Sequence, residues 1–410
     1  MHPKKKTQGQ VMLSPVLDRF EGNPILRPDT GNWWETKAVF NPAVIYEGGK
    51  VHILYRAIGE TDNSLLGYAS SLDGFHVNER LANPVYVPRE SFEGVGSLPR
   101  LETGRFSPFE SGGGGGGGCE DPRLTRIDDK VYLTYVAYDG HSPPRVALSS
   151  IGIDDFLQKN WRWKKPVLIS PPHVVDKNAC ILPEKINGKY VIFHRIFPNI
   201  LIDFVDDLDF DGKTRWLEGH FKIPVKSSSW DSLKVAAGPP PIKMKEGWLF
   251  IYHAIDEKDD LRYKIGAMLL DIKEPMRVLA RTKKPILEPE AVYENDGLKY
   301  GVVYPCGAAV LNDRLFVYYG GADMVVCVAT AKISEFLSRL CRESELTQIS
   351  YPVNAPTEVY TNTHEHIVGY CLKCRKMREM KNSRHFIMKN LKHAVEGVCP
   401  QCGTKMVKFG

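Results

Sequence analysis

Apolar residues along this chain come in short bursts spaced for β-strands, and the bursts repeat. A proline followed by apolar β-formers occurs at Pro24-Ile25-Leu26, Pro84-Val85-Tyr86, Pro166-Val167-Leu168, Pro224-Val225 and Pro285-Ile286-Leu287. The intervals are 60, 82, 58 and 61 residues, so one period carries an insertion. A hairpin pattern follows each proline, at 43–45 to 51–55, 124–127 to 131–135, 181–186 to 190–194, 242–244 to 248–252 and 308–311 to 315–319. Turns such as Asn187-Gly188 and Glu47-Gly48-Gly49 tolerate the positive φ a tight hairpin requires. A third strand follows at 66–70, 145–149, 263–270 and 325–330, then short amphipathic segments at 153–157 and 333–340. Five copies of a three- or four-stranded antiparallel unit predict an all-β, five-bladed β-propeller. A sandwich of irregular strands is the competing architecture, and the fivefold recurrence argues against it.

In a propeller the first strand of each blade lines the central channel. The residues opening these strands should therefore converge: Asn41-Pro42, Asp121-Pro122, Leu182-Pro183-Glu184, Pro240-Pro241 and Tyr304-Pro305. The run Cys119-Glu120-Asp121-Pro122-Arg123-Leu124 is the most informative of these. Proline fixes the backbone and removes a donor, so Asp121 is held at a strand entrance with Arg123 two residues away. An Asx-Pro turn is the plain alternative. Other polar residues recur at comparable repeat positions: Arg56, Lys177, Asn178, His194, Arg195, Lys234, His253, Asp256 and Asp323. Singly, each reads as a solvated strand end or a satisfied loop residue. Jointly, aimed at one axis, they predict a pocket of carboxylates and cations. Two chemistries suit it: acid catalysis at a glycosidic oxygen, and binding of a dianion such as phosphate by Lys177, Arg195, Lys234 and His253.

Composition adds limits rather than direction. The chain has 410 residues, 43% hydrophobic and 25% charged, with a net charge of +5. That is ordinary for a globular protein and demands no nucleic-acid partner. No stretch reaches the ~20 apolar residues of a membrane span. The basic N-terminus lacks the apolar core of a signal peptide. Five of nine cysteines are scattered and four are paired near the end, which is no disulfide framework and fits a reducing cytoplasm.

The motifs Phe40-Asn41-Pro42-Ala43, Tyr55-Arg56-Ala57, Glu120-Asp121-Pro122-Arg123, Lys177-Asn178, Pro183-Glu184-Lys185, Phe193-His194-Arg195, Ala237-Gly238-Pro239-Pro240-Pro241-Ile242, Tyr252-His253-Ala254 and Gly320-Gly321-Ala322-Asp323 run in a characteristic order. Together they resemble family 130 of the glycoside hydrolases, five-bladed propellers that include β-mannoside phosphorylases. The resemblance implies that Asp121 is the general acid. It implies that Asn41, Arg56, Arg123, Tyr304 and Asp323 hold the sugar. It implies that Lys177, Asn178, Arg195, Lys234, His253 and Tyr263 cradle inorganic phosphate, the co-substrate. Lys177 stands where some phosphorylases carry arginine, which keeps the charge and loses the bidentate fork. The implied reaction is inverting phosphorolysis of a β-1,2- or β-1,4-mannoside to α-mannose 1-phosphate. An inverting hydrolase is the alternative within the family, with Glu120 and Glu184 as the carboxylates to watch for a base. A glycan-binding propeller without catalysis is the alternative outside it. Family resemblance also admits a homo-oligomer.

Residues 112–118 are seven consecutive glycines, read either as a lid over substrate or as an insertion tolerated in a surface loop. The loop upstream, from 91 to 109, is expected to border the acceptor subsite. The propeller is expected to span 1–342, followed by an arm at 343–369. Residues 370–410 then carry Cys371-Leu372-Lys373-Cys374 and Cys399-Pro400-Gln401-Cys402. Two Cys-x-x-Cys pairs predict a small zinc ribbon with Cys371, Cys374, Cys399 and Cys402 around structural Zn²⁺. The segment resembles a small family of zinc-ribbon domains of unknown function. Its Lys373, Arg375, Lys376, Arg378, Lys381 and Arg384 suit a solvated face, with contact to nucleic acid as the sharper reading.

Overall fold

The computed structural model describes residues 14–95, 116–343, 351–352, 368–371, 373–374, 376–387 and 393–409. The chain divides into two compact units, Met1–Pro352 and Val353–Gly410.

The first unit is a five-bladed β-propeller. Blade one is Ala38–Glu47, Lys50–Ile58, Asn63–Ser71 and Val77–Arg80, each strand antiparallel to the next. Blade two is Gly117–Ile127, Lys130–Tyr138, Arg145–Gly152 and Val167–Leu168. Blade three is Lys177–Ile181, Tyr190–Ile196, Asn199–Val205 and Phe221–Ile223, with Tyr351–Pro352 added at its outer edge. Blade four opens with Lys234–Ala237, interrupted before Ile242–Lys243, and continues with Trp248–Asp256, Asp259–Leu270 and Val278–Arg281. Blade five is Val303–Leu311, Arg314–Gly321 and Val325–Lys332, completed by Asp18–Arg19 from the start of the chain. The ring is therefore closed by a strand from the other end of the sequence.

That closure explains the proline repeat. Leu26 bridges Val326, Tyr86 bridges Leu66, Leu168 pairs Ala147 and Leu287 bridges Ile265. Four of the prolines thus lead into an outer-edge pairing of the preceding blade, where a missing N–H costs no ladder bond, whereas Pro224 follows the outer strand Phe221–Ile223 of blade three. Pro24 belongs to blade five, and the repeat is offset from the blades by one strand.

Adjacent blades share five apolar clusters. Leu54 and Tyr68 of blade one meet Leu124 and Leu133 of blade two. Val146 and Leu148 meet Ile181 and Ile192. Val191 and Phe193 meet Phe250 and Met268. Ile251 and Ile265 meet Val317 and Cys327. Phe316 and Tyr318 meet Ile53 and Tyr55. Successive residues of one strand point to opposite faces, so Ile192 packs toward blade two while Val191 and Phe193 pack toward blade four. Both faces are buried, which is why the middle strands read as nearly continuous apolar runs.

The short segments after the third strands of blades two and five are α-helices, Ile153–Leu157 and Ile333–Glu343. Residues 112–115 of the glycine run lie outside the described residues. Gly117 and Gly118 start the first strand of blade two and pair in parallel with Asn63 and Ser64, joining blades one and two. Gly118 has φ +105°, and a Cβ there would stand 2.3 Å from the Ser64 carbonyl oxygen. The end of the run is thus required by the fold rather than merely tolerated.

In the second unit Val368–Cys371 pairs Lys376–Glu379, and Lys381–Ile387, His393–Val398 and Lys405–Phe409 form a three-stranded sheet. Its buried cluster is Cys371, Cys399, Met380 and Met406, with Cys374 and Cys402 against them. The four Sγ atoms lie within 4.8 Å of one another, with Cys371 and Cys402 at 3.5 Å and Cys374 and Cys399 at 3.9 Å. Of the expected arm, 344–350 and 353–367 lie outside the described residues. Among the described residues no helix is long and apolar enough to cross a membrane.

Candidate active site

Three blades carry the same local device. The register of the first strand slips between Phe40 and Ala43 in blade one, between Glu120 and Arg123 in blade two, and between Lys177 and Cys180 in blade three. At each slip sits a residue in the left-handed region: Asn41 at φ 49°, Asp121 at φ 49° and Asn178 at φ 61°. These are β-bulges, and Asn and Asp are the non-glycine residues that tolerate such backbone best. The bulge turns each polar side chain out of the pleat and into one shared cavity of about 70 Å³. Lys234, His253 and Tyr263 of blade four complete its wall, with Tyr304, Lys299 and Asp323 of blade five and Lys177 and Arg195 of blade three.

Asp121 is the best-held carboxylate. Asn41 Nδ2 donates to its Oδ1 at 2.7 Å, and Arg56 Nη1 approaches the same oxygen at 3.2 Å. Because an ionised carboxylate only accepts, the Asn41 amide nitrogen must face it. Arg56 is fully buried; its Nη2 reaches Glu120 at 3.2 Å, its Nε reaches Ser64 Oγ at 2.9 Å, and its guanidinium lies over Phe40. From the other side Arg123 donates to the Asp121 carbonyl at 2.8 Å and to the carbonyls of Ala237 and Gly238 at 3.2 Å each. Burial pushes the Asp121 pKa up, but Arg56, Arg123, the Asn41 amide and Lys177 outweigh it and hold it below the usual range. Asp323 has the reverse balance: burial, with Asp121 nearby, raises it to about 6 against the pull of Lys299 and Arg56.

The other side of the cavity is cationic. Arg195 Nε donates to Asn178 Oδ1 at 2.8 Å, and Asn178 Nδ2 donates to the Tyr304 hydroxyl. Lys177 stands 3.9 Å from Glu120, and burial lowers its pKa. Lys234 Nζ donates to Tyr263 OH at 2.8 Å, and Lys299 Nζ does so at 3.3 Å. Burial among these cations lowers Lys234 to about 8 and takes His253 well below its ordinary value, so that imidazole is neutral. The His253 ring packs 4.3 Å from Tyr304 and 5.9 Å from Tyr263, and its Nδ1 has no hydrogen-bond partner among the described residues. Crowded cations with neutral donors between them form a seat for an anion.

A family model described as β-1,4-mannooligosaccharide phosphorylase matches residues 16–343. The chain belongs to glycoside hydrolase family 130. A β-1,2-mannobiose phosphorylase from Thermoanaerobacter sp. is 40% identical over 326 residues, covering 76% of this chain and 96% of that relative. A 1,2-β-oligomannan phosphorylase from the same organism is 38% identical, covering 78% and 98%. Among solved structures, the β-1,2-mannobiose phosphorylase of Listeria innocua in complex with β-1,2-mannobiose is similar with a TM-score of 0.61 and 28% identity, covering 80% of this chain and 99% of that one. Residues 370–409 match a model described only as a domain of unknown function.

The cavity brings together Asn41, Asp121, Lys177, Asn178, Arg195, Lys234, His253, Tyr263, Tyr304 and Asp323. Arg56 and Arg123, expected to hold the sugar, are buried next to the cavity and donate to Asp121. Leu182-Pro183-Glu184 does not open the third inner strand, which enters at Lys177 and ends at Ile181. Glu184 is half-exposed and ion-paired with Lys243. Pro240-Pro241 likewise interrupts the fourth inner strand after Ala237. Asp256 does not line the cavity and accepts from Ser232 Oγ at 3.2 Å. The sequence reading missed Lys299, because its loop before blade five has no counterpart in the repeat. A larger cleft of about 310 Å³, lined by Tyr132, Tyr190, Phe210 and neighbours, contains none of the constellation. Residues 96–109, expected beside the acceptor subsite, lie outside the described residues.

Proposed function

We propose that the protein catalyses inverting phosphorolysis of β-mannosides to α-mannose 1-phosphate. The observation that carries this reading is one cavity lined both by Asp121 and by Lys177, Arg195, Lys234 and Lys299. The cations seat phosphate beside Asn178, His253 and Tyr263. Asn41, Asp323 and Tyr304 hold the mannosyl unit, while Arg56 and Arg123 keep Asp121 aimed. A phosphate oxygen bonds to the anomeric carbon from the face opposite the leaving group, and the glycosidic C–O bond breaks. The leaving oxygen takes a proton from Asp121, directly or through a sugar hydroxyl. The phosphate loses one proton on esterification, so turnover restores Asp121. Phosphate also resolves the low pKa of Asp121, since a bound dianion nearby favours its protonated form.

Hydrolysis would need a second carboxylate to activate water. Glu184 is on the surface and Glu120 is held by Arg56 and Lys177. Asp323 is the other carboxylate lining the cavity, and its neighbours are cations suited to phosphate. The relatives at 40% and 38% identity act on β-1,2-linked mannosides, whereas a Ruminococcus albus phosphorylase for β-1,4-mannooligosaccharides is 30% identical. The β-1,2 linkage is therefore the first to try. The test is a panel of β-1,2- and β-1,4-mannosides with and without phosphate. Phosphate-dependent α-mannose 1-phosphate supports the reading, and free mannose released regardless of phosphate replaces it with hydrolysis.

For the C-terminal unit the proposal is structural Zn²⁺. A tetrahedral Zn²⁺ with Zn–S of about 2.3 Å spaces its sulfurs by roughly 3.8 Å. The observed 3.5 and 3.9 Å fit that shell and are too long for disulfides. Bound there, the metal would supply the cohesion that a cluster of two methionines and four cysteines lacks. Buried free Cys119, Cys180, Cys306 and Cys327 in the propeller suit a reducing compartment such as the cytoplasm.

A further inference from the structure

Tyr263 is an unusual member of an anion seat. Its oxygen receives hydrogen bonds from two ammonium groups, Lys234 at 2.8 Å and Lys299 at 3.3 Å. Both nitrogens also lie over its ring, 4.3 and 4.4 Å from the centroid. Ammonium groups only donate, so the phenol oxygen is an acceptor twice over and its own proton is the odd one out. The groups facing it come from five elements. Lys234 and His253 lie on the first and second strands of blade four, and Tyr304 on the first strand of blade five. Lys299 lies on the preceding loop, with Arg195 beyond in blade three. His253 is neutral, and Asp323 acts on Lys299 rather than on the phenol.

We propose that Tyr263 is the proton-carrying group of the phosphate seat: in the free protein it is a phenolate paired with Lys234 and Lys299, and it takes up one solvent proton as phosphate dianion binds, becoming a donor to that anion. Burial alone would raise the phenol, but Lys234, Lys299 and Arg195 outweigh it and bring it down to about 7. Lys234, at about 8, keeps its proton when Tyr263 has lost its own. The charge sum gives the reason. Four cations against Asp121 and Asp323 leave the cavity net positive, and a phenolate beside Lys234 and Lys299 offsets part of that excess. When a dianion arrives that anion becomes a repulsive neighbour, and protonation removes it. The seat thereby trades an internal negative charge for the substrate's. Lys299 is the residue that makes the trade possible, because one ammonium would be left to share with Lys177 and Arg195. This inference rests on the reading of the cationic wall as the phosphate site.

The test is a near-ultraviolet tyrosinate titration of the free full-length protein in a phosphate-free buffer, with calorimetry of inorganic phosphate. The expected result is one tyrosine of 18 ionising near neutral pH, absent in Tyr263→Phe and shifted to higher pH in Lys299→Met. Adding phosphate at about pH 8 should quench that signal. Calorimetry in buffers of different ionisation enthalpy should show uptake approaching one proton. Affinity for the dianion should then weaken by up to about tenfold per pH unit above that midpoint. Phosphate binding with no neutral-pH tyrosinate and no proton uptake overturns the inference and leaves the phosphate site intact. No phosphate binding at all overturns both.

Discussion

Blades one and two contribute charges that are already matched. Arg56 sits between Glu120 and Asp121, and Arg123 and Asn41 complete the hold on Asp121. Blades three to five contribute more cations than anions, even though Lys177 pairs with Glu120 and Lys234 and Lys299 donate to Tyr263. Lys177, Arg195, Lys234 and Lys299 face the same cavity, with Asn178, His253 and tyrosines between them. Matched charges fix one geometry and resist change, which suits a group that must aim at a glycosidic oxygen. An excess of cations raises the positive field of the cavity, which suits a co-substrate that brings its own charge. One cavity thus joins a rigid aiming device to a wall of excess positive charge.

Breaking the matched side has the largest expected effect. Asp121→Asn should lower kcat by about 10³-fold while mannobiose still binds, because the proposed general acid is lost and the shape is kept. Steady-state kinetics with a binding titration checks this, and unchanged kcat would remove Asp121 from its role. Breaking the cationic side should act on the co-substrate instead. Arg195→Ala should raise the phosphate KM by roughly ten- to a hundredfold with a smaller change in mannoside KM. Equal effects on both substrates would erase the distinction between the two sides.

Subtler changes sharpen the comparison. A Cβ at Gly320 would stand 2.2 Å from Asn41 Oδ1 and 2.9 Å from the Asn41 nitrogen. Gly320→Ala should therefore displace Asn41, lowering kcat by about tenfold and stability by about 1–3 kcal/mol. Chemical denaturation beside kinetics would separate the two losses. Asp323 tests the cost of a poorly matched carboxylate. Its folded pKa of about 6 lies above the ordinary 3.8, so the native state binds the extra proton between these values. Stability from this group is then present at low pH and lost as pH rises through about 6, by on the order of 2–3 kcal/mol. Asp323→Asn should raise Tm at about pH 8 and not at about pH 4, even as it impairs turnover. A destabilised variant at pH 8 would contradict that balance. The smallest effect on catalysis is expected in the C-terminal unit. Cys371→Ser should abolish the zinc binding proposed for that unit, measured by metal analysis, and leave propeller turnover within about twofold.

The repeat made the propeller legible, because apolar strands and edge prolines recur wherever a blade recurs. It also placed the blade boundary one strand early, since Pro24 pairs with a strand some three hundred residues later (Leu26 with Val326). Nothing local marks that pairing. Most of the cavity was legible for the same reason: Asn41, Asp121 and Asn178 occupy equivalent bulges. Lys299 was not, because it lies on a loop outside the repeat. Arg56 and Arg123 were legible as members of the site but not as supports, since which way an arginine reaches depends on blades distant in sequence. Arg123 finds its carbonyls at Ala237 and Gly238.

The division of labour within the cavity is tested most directly by the Kd of inorganic phosphate for Asp121→Asn and for Arg195→Ala. Asp121→Asn should bind phosphate at least as tightly as the parent protein, because a negative charge has left the cavity and every cation remains. Arg195→Ala should bind it roughly ten- to a hundredfold more weakly. Loss of phosphate binding in Asp121→Asn, or full retention in Arg195→Ala, would contradict the account.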